Sequence, residues 1–293
     1  MTATATGPWP PAVQSGVICA TAGRSQREMR RWAAAYPGLF AAKPFDEALY
    51  GTVALAMAFS GPWLTADRLA VANKATLWAF ALDWLVDYAG GSPAEMRGLR
   101  ERCAAVAAGA EPAPGDELAL MLADIRRDLA PAPAFAELER VWLEELGRTL
   151  DAMIREWEWK ASGTTPTVEE YLANADNHAF CFVFTCHWIS VAEPGAAAGL
   201  DRVREASRAV QRVMRLLNDV SSYDRDVSWG DVNVLLLGTT REEVTRRVGA
   251  LAAEARGLLA ELRSGHPETA DYMERQMDFC AGFYQAGEYW GRL

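Results

Sequence analysis

Residues Leu200 to Ser228 read LDRVREASRAVQRVMRLLNDVSSYDRDVS. At about 100° per residue, with Asn218 at zero, Gln211 falls near about 20°, Ser222 about 40°, Arg215 about 60°, Asp226 about 80° and Arg225 about −20°. These residues and Asn218 form one polar stripe, and Val213, Leu216, Leu217 and Val220 form the opposite face. The segment is therefore an amphipathic helix. Its column of Asn218, Ser222 and Asp226 offers an amide oxygen, a hydroxyl and a carboxylate. Such oxygen donors suit Mg²⁺, which takes few protein ligands and fills its shell with water and phosphate oxygens. Arg215 and Arg225 beside them suit a diphosphate, because guanidinium pairs with phosphate bidentately. The bland alternative is an ordinary solvated helix face.

A second helical segment, Thr65 to Tyr88, reads TADRLAVANKATLWAFALDWLVDY. Its C-terminal half is apolar through Leu77, Trp78, Phe80, Leu82, Trp84, Leu85 and Val86, the mark of an interior helix. Asp83 and Asp87 interrupt it at i, i+4 and share a face with Thr76 and Phe80. Two like charges on a buried face repel and are costly to desolvate, so they need either partner arginines or a hard divalent cation. Taken by itself an Asp pair at this spacing also fits a salt-bridged surface.

Elsewhere the 293-residue chain keeps helical periodicity from about Gln26 onward, with no run of strand alternation. Pro and Gly breakers divide it into helix-sized pieces, among them Gly90-Gly91-Ser92-Pro93, Gly163 to Pro166 and Gly238-Thr239-Thr240. No linker or repeat marks a domain boundary. The expected fold is all-α: a single helical bundle over residues 26–293, preceded by a poorly structured arm over residues 1–25, where Pro8, Pro10 and Pro11 cluster. A 51% apolar composition and a mean hydropathy of −0.07 give material for a sizeable core and exclude global disorder. The net charge of −10 sets nucleic-acid coating aside. Five cysteines, none in a CxxC pair, fit neither a disulfide framework nor a zinc ribbon. The longest apolar run, Ala179 to Ala192, is too short to span a bilayer, and the N-terminus lacks a signal-peptide pattern. A soluble cytoplasmic protein without membrane anchoring is the expectation.

The conjunction of the two acid-bearing helices resembles a class I terpene synthase. NDVSSYDRD, Asn218 to Asp226, is similar to that family's NDxxSxxxE motif with Asp for the final Glu, and Gly230-Asp231-Val-Asn233-Val234-Leu235 resembles its continuation. Asp83-Trp-Leu-Val-Asp87 resembles the DDxxD motif with Trp84 at its second position. Pro166 to Ala175, PTVEEYLANA, resembles the entrance to the broken central helix of plant-like diterpene synthases. Ala175, Asp176 and Asn177 stand where many bacterial members carry an arginine sensor, and the Arg-Tyr pair that often ends bacterial members is not recognisable.

The resemblance implies an all-α fold around a cavity. It implies a Mg²⁺ cluster, three ions with bound diphosphate, held by Asp83, Asp87, Asn218, Ser222 and Asp226. It carries diphosphate binding to Arg215 and, more weakly, to Arg225. The substrate it implies is a C20 prenyl diphosphate, geranylgeranyl or a bicyclic labdane type such as copalyl diphosphate, which a separate class II diterpene cyclase would supply. Farnesyl diphosphate, for a sesquiterpene cyclase, is the alternative, and a non-catalytic helical scaffold is the competing non-enzyme reading. Helical cyclases of this size are often homodimers. Cation stabilisation calls on aromatic faces, of which the chain has eleven Trp, eight Tyr and ten Phe. Phe80 is the first candidate. Thr76, Trp84, Asn174, Phe180, Phe184, Trp188, Phe283, Tyr284 and Tyr289 are expected around the cavity. His178, just past the helix entrance, is the candidate proton acceptor or water-orienting group.

Overall fold

A computed structural model describes residues 11–89 and 91–291. Among them every regular element is helical, as the periodicity predicts. The α-helices are α1 (Pro11–Ala35), α2 (Pro37–Phe40), α3 (Glu47–Ser60), α4 (Ala66–Trp84), α5 (Pro93–Ala107), α6 (Glu117–Leu129), α7 (Phe135–Ser162), α8 (Val168–Ala173), α9 (Phe180–Val191), α10 (Leu200–Trp229), α11 (Arg241–Leu262) and α12 (Pro267–Ala286). Local chemistry starts many of them. Asp46, Ser92 and Asp116 accept from backbone N–H groups of the first turns of α3, α5 and α6. Thr167 with Glu170, and Thr240 with Glu243, form reciprocal capping boxes on α8 and α11.

The arm expected over residues 1–25 is overturned from Pro11 on; residues 1–10 lie outside the described residues. Pro11 opens α1, where a missing N–H costs nothing. Ile18, Ala22, Ser25, Met29 and Ala33 are buried at helical spacing, and α1 packs on α3 and α4. The proline cluster signals the start of a helix, and the small residues after it do not prevent one. Tying contacts include Arg24–Asp67 at 3.0 Å and Gln26 Nε2 donating to the Glu47 carbonyl at 3.1 Å.

At the centre lies α9, whose residues 180–189 are all buried. Around it α4, α7, α10 and α12 form the walls of a cavity, and α3 adds Val53, Ala56 and Met57. Ala66–Tyr88 is long and apolar enough to cross a membrane by length and composition, and 61% of its most apolar window is buried inside the bundle. The cysteines are free, and Cys103, Cys181, Cys186 and Cys280 are buried.

Candidate active site

The α4 stripe faces the cavity as the periodicity predicts: Thr76, Phe80 and Asp83 line it in succession. The backbone then widens into a π-turn, Leu85–Ala89, which carries Asp87 to the same cavity. Such turns interrupt an α-helix at a cost and recur at functional sites. Neither Asp83 nor Asp87 has a hydrogen-bond or ion-pair partner among the described residues. Burial pushes both carboxyls above the ordinary carboxylate range. Arg225 opposes the shift at Asp83, whereas the charges of Asp83, Asp231 and Glu156 add to it at Asp87. Two half-buried acids without a hydrogen-bond or ion-pair partner among the described residues are a donor set that could hold a divalent cation.

From the opposite wall, α10 contributes Arg215, Asn218, Arg225 and Asp226. The two acid-bearing helices, distant in sequence, therefore face one cavity. Tyr88 also meets Trp229 edge-on, with ring centroids 4.8 Å apart, across the ends of the two motifs. Asn218 donates its amide N–H to the Tyr284 hydroxyl at 3.3 Å. Ser222 is fully buried behind the cavity, and its hydroxyl donates to Asp226 Oδ2 at 2.6 Å. Asp226 does reach back along the helix, as its shorter side chain requires. It also accepts from Asn233 Nδ2 at 2.8 Å and from Arg225 Nη2 at 2.8 Å. Arg225 lies 3.1 Å from Glu288 as well, without an aligned hydrogen bond.

Arg215 lines the cavity but is heavily engaged. Its guanidinium pairs with Glu156 Oε1 at 2.9 Å and Oε2 at 3.3 Å. It donates through Nε to the Tyr171 hydroxyl at 2.6 Å and lies 3.1 Å from Asp219. Tyr171 in turn donates to Asp219, whose carboxyl burial pushes up to about 7 against the pull of Arg215. Glu156, also raised by burial, was not legible as a site residue. It sits in the Arg155-Glu156-Trp157-Glu158 stretch of α7, which by pattern resembles any charged helix surface.

The expected break is present between α8 and α9. A 3₁₀ turn, Ala175–His178, leads to Ala179 at φ 59°, the only non-glycine residue with positive φ among the described residues. Three side chains pin the break. Asn174 donates to the Ala152 carbonyl at 2.8 Å, Asp176 takes Gln211 at 2.8 Å and Arg148 at 2.6 Å, and Asn177 donates to Glu156. Asn174 is thus an anchor and not the cavity-lining residue expected. Just beyond, His178 lines the cavity and makes no hydrogen bond to a described residue. Burial, helped by the Arg215 charge, lowers its pKa to about 3 and keeps the imidazole neutral.

Of the expected aromatics, Phe80, Phe180, Tyr284 and Tyr289 line the cavity. Trp84 does not: one residue past Asp83 it turns about 100° away, stacking on Tyr88 at 4.2 Å and packing near Phe45 and Trp290. Phe184 and Trp188 form a stack beneath Phe180 inside the core, and Phe283 packs between Phe279 and Tyr289. Val183 on α9 and Trp290 beyond α12 line the cavity instead. Glu145, Asp176 and Cys181 form a separate buried group of metal-capable atoms. Arg148, Arg204 and Arg208 already neutralise its carboxylates.

The chain is similar to known proteins in sequence and in fold. The chain is 25% identical over 275 residues to ent-pimara-9(11),15-diene synthase of Streptomyces sp. (strain KO-3988), covering 90% of each. It is 27% identical over 169 residues to ent-kaurene synthase-like 3 of Oryza sativa subsp. japonica, covering 52% of this chain and 22% of that one. In fold it is similar to 2-methylisoborneol synthase from Streptomyces coelicolor A3(2), solved with Mg²⁺ and 2-fluoroneryl diphosphate. The TM-score is 0.76 at 16% identity over 94% of each chain. The linalool/nerolidol synthase from Streptomyces clavuligerus, solved with 2-fluorogeranyl diphosphate, gives a TM-score of 0.71 at 18% identity, covering 90% of this chain and 93% of that one. Residues 74–256, which hold both acid-bearing helices and the broken helix between them, match the family model for terpene synthase family 2, C-terminal metal binding, and the chain belongs to that family of prenyl-diphosphate lyases.

Proposed function

We propose that this protein is a class I diterpene synthase: it ionises a C20 prenyl diphosphate, bicyclic labdane-type or geranylgeranyl, and guides the carbocation to a product with release of diphosphate. The observation that carries the reading is the meeting of Asp83 and Asp87 with Asn218 and Asp226 on one cavity that aromatic rings also line. The C20 class is supported by the likeness to an ent-pimaradiene synthase along nine-tenths of both chains. Shorter likenesses to ent-kaurene-type and ent-beyerene synthases of rice point the same way. For a bicyclic substrate, a class II cyclase is the enzyme that must precede it.

Asp83 and Asp87 would hold magnesium on one wall, and Asn218 and Asp226, backed by Ser222, on the other. Bound magnesium, taken as three ions with the diphosphate, supplies Lewis-acid stabilisation of the leaving group's charge. Arg225 is the nearer guanidinium for the diphosphate, because its partner Asp226 is itself wanted as a metal ligand. Arg215 keeps its remaining donor toward the cavity. As the allylic C–O bond breaks, the electron pair leaves with the diphosphate oxygen. The cation is left among Phe80, Phe180 and Tyr289, whose ring faces stabilise it. The apolar walls exclude water. His178, neutral and without a hydrogen-bond partner among the described residues, accepts the final proton or orients the terminating water.

The test is incubation of the purified protein with C10, C15 and C20 linear diphosphates and with copalyl diphosphate, with Mg²⁺ or with EDTA, and identification of products by mass spectrometry. Mg²⁺-dependent C20 hydrocarbon or alcohol is expected. Turnover confined to farnesyl diphosphate would replace the reading with a sesquiterpene cyclase, and wild-type turnover in EDTA would end it.

A further inference from the structure

The cavity is lined by more acid than the two motifs contribute. Asp83, Asp87 and Asp226 are joined there by Glu156 and Asp231. Glu156 is committed to Arg215 and Asn177. Asp231 is different in origin and in partner. Gly230, at φ 72° in the left-handed region, ends α10 and folds the chain back, so that the Asp231 N–H donates to the Asp226 carbonyl at 2.9 Å. The turn sets the Asp231 carboxylate beside the second motif. There it lines the same cavity as Asp83 and Asp87 of the first motif. Its one ion-pair partner among the described residues is Lys160, with Nζ 2.6 Å away, and that ammonium also lies 5.8 Å from the Tyr88 ring centroid, beside Asp87. Asp231 is thus held by a flexible, strongly hydrated cation that can turn elsewhere.

We propose that Asp231 is an additional carboxylate of the metal–diphosphate pole, an oxygen donor supplied from the α10 side beside those of Asp83 and Asp87 on the α4 side. The inference rests on reading this pole as the magnesium–diphosphate site. Two observations favour a ligand here over a mere acidic cluster. Asp83 and Asp87, half-buried in the same cavity, have no hydrogen-bond or ion-pair partner among the described residues, and the cavity lining sets five carboxylates against two guanidiniums. Lys160 neutralises Asp231; a cation bound by the carboxylate would free Lys160 for the phosphate oxygens.

The experiment measures Mg²⁺ uptake in the presence of inorganic pyrophosphate by calorimetry, and Mn²⁺ uptake by paramagnetic resonance, on the full chain without substrate. The variants are Asp231→Asn and the double variant Asp231→Asn with Lys160→Met, which leaves no unpaired charge behind. The half-saturating metal concentration should rise roughly ten- to hundredfold in both, the range for losing a group that ligates or supports a metal. Wild-type affinity in Asp231→Asn, or recovery of it in the double variant, would overturn the inference, because Asp231 would then act only through Lys160. Absence of metal uptake by the wild type would instead remove the magnesium reading of the whole pole.

Discussion

Replacing Arg215 by Met keeps an unbranched side chain about as long as the aliphatic stem and removes the guanidinium. In the wild type that group holds Glu156 at 2.9 Å, Asp219 at 3.1 Å and the Tyr171 hydroxyl at 2.6 Å, all in the interior. Without it, two buried carboxylates face each other uncompensated. Breaking a buried ion pair from one side costs about 3–5 kcal/mol. At about 2.1 cal/mol/K of unfolding entropy per residue, a chain of 293 residues then loses about 5–8 °C in Tm near pH 8. The sign of the pH dependence follows from burial. Both carboxyls already sit above their ordinary range with Arg215 present, and they rise further without it. A raised folded-state pKa means that the folded state binds more protons than the unfolded chain, so stability is lost as pH rises through the window and regained as it falls. As pH falls from about 8 toward about 5, Asp219, pushed up to about 7, and Glu156, shifted the same way, take up protons, and the penalty shrinks toward about 1–2 kcal/mol, that of imperfectly paired neutral groups. Thermal and urea unfolding of both proteins across this range is the assay. An equal loss at both ends would refute the idea that Arg215 is a counter-charge first and a diphosphate ligand second.

Asp87→Asn should lower kcat/KM by at least about a hundredfold through loss of a metal-facing carboxylate. The ligand-free protein should stay as stable as the wild type or become more stable, since a buried repelling charge is gone; a destabilised variant with intact turnover contradicts both halves. The stabilisation conferred by Mg²⁺ and pyrophosphate should grow as pH rises from about 6 to about 8, because the metal competes with protons for Asp83 and Asp87, whose pKa values burial raises. A flat profile in differential scanning fluorimetry would show that these acids are not the ligands. Phe80→Leu should leave diphosphate release nearly unchanged in a coupled assay while product ratios shift about five- to thirtyfold, which is what about 1–2 kcal/mol of lost cation–π stabilisation at one branch point produces. An unchanged product profile removes Phe80 from the reacting carbons.

The fold class and the two motif helices were legible because their signals are periodic. Acid on the apolar face of α4 and the polar column on α10 each fix a direction, and both directions meet in the cavity. What periodicity could not supply was the company each residue keeps. Arg215 reads as a free cation until Glu156, from a helix with a surface-like pattern, is folded against it. Phe184 and Trp188 share the face of Phe180, but depth below the cavity floor is a tertiary property, and they are core. Asn174 looked like a lining residue because it marks the helix break. Its amide is spent on the Ala152 carbonyl, since a broken helix leaves backbone groups that neighbours must satisfy. The first turns of α1 were hidden by proline-rich composition, which marks a helix start as readily as an irregular segment.

The left-handed residue at the helix break has a consequence for how such a pocket can diverge. Holding an alanine at φ 59° costs about 1–2 kcal/mol, so residues 175–179 behave as a sprung joint kept bent by its moorings on α7 and α10. Loosening a mooring, at Gln211 or Arg148 for instance, lets the joint relax and moves His178 and Phe180 together. The contour presented to a reacting hydrocarbon can therefore be retuned from outside the pocket, with every residue that touches the hydrocarbon left as it is.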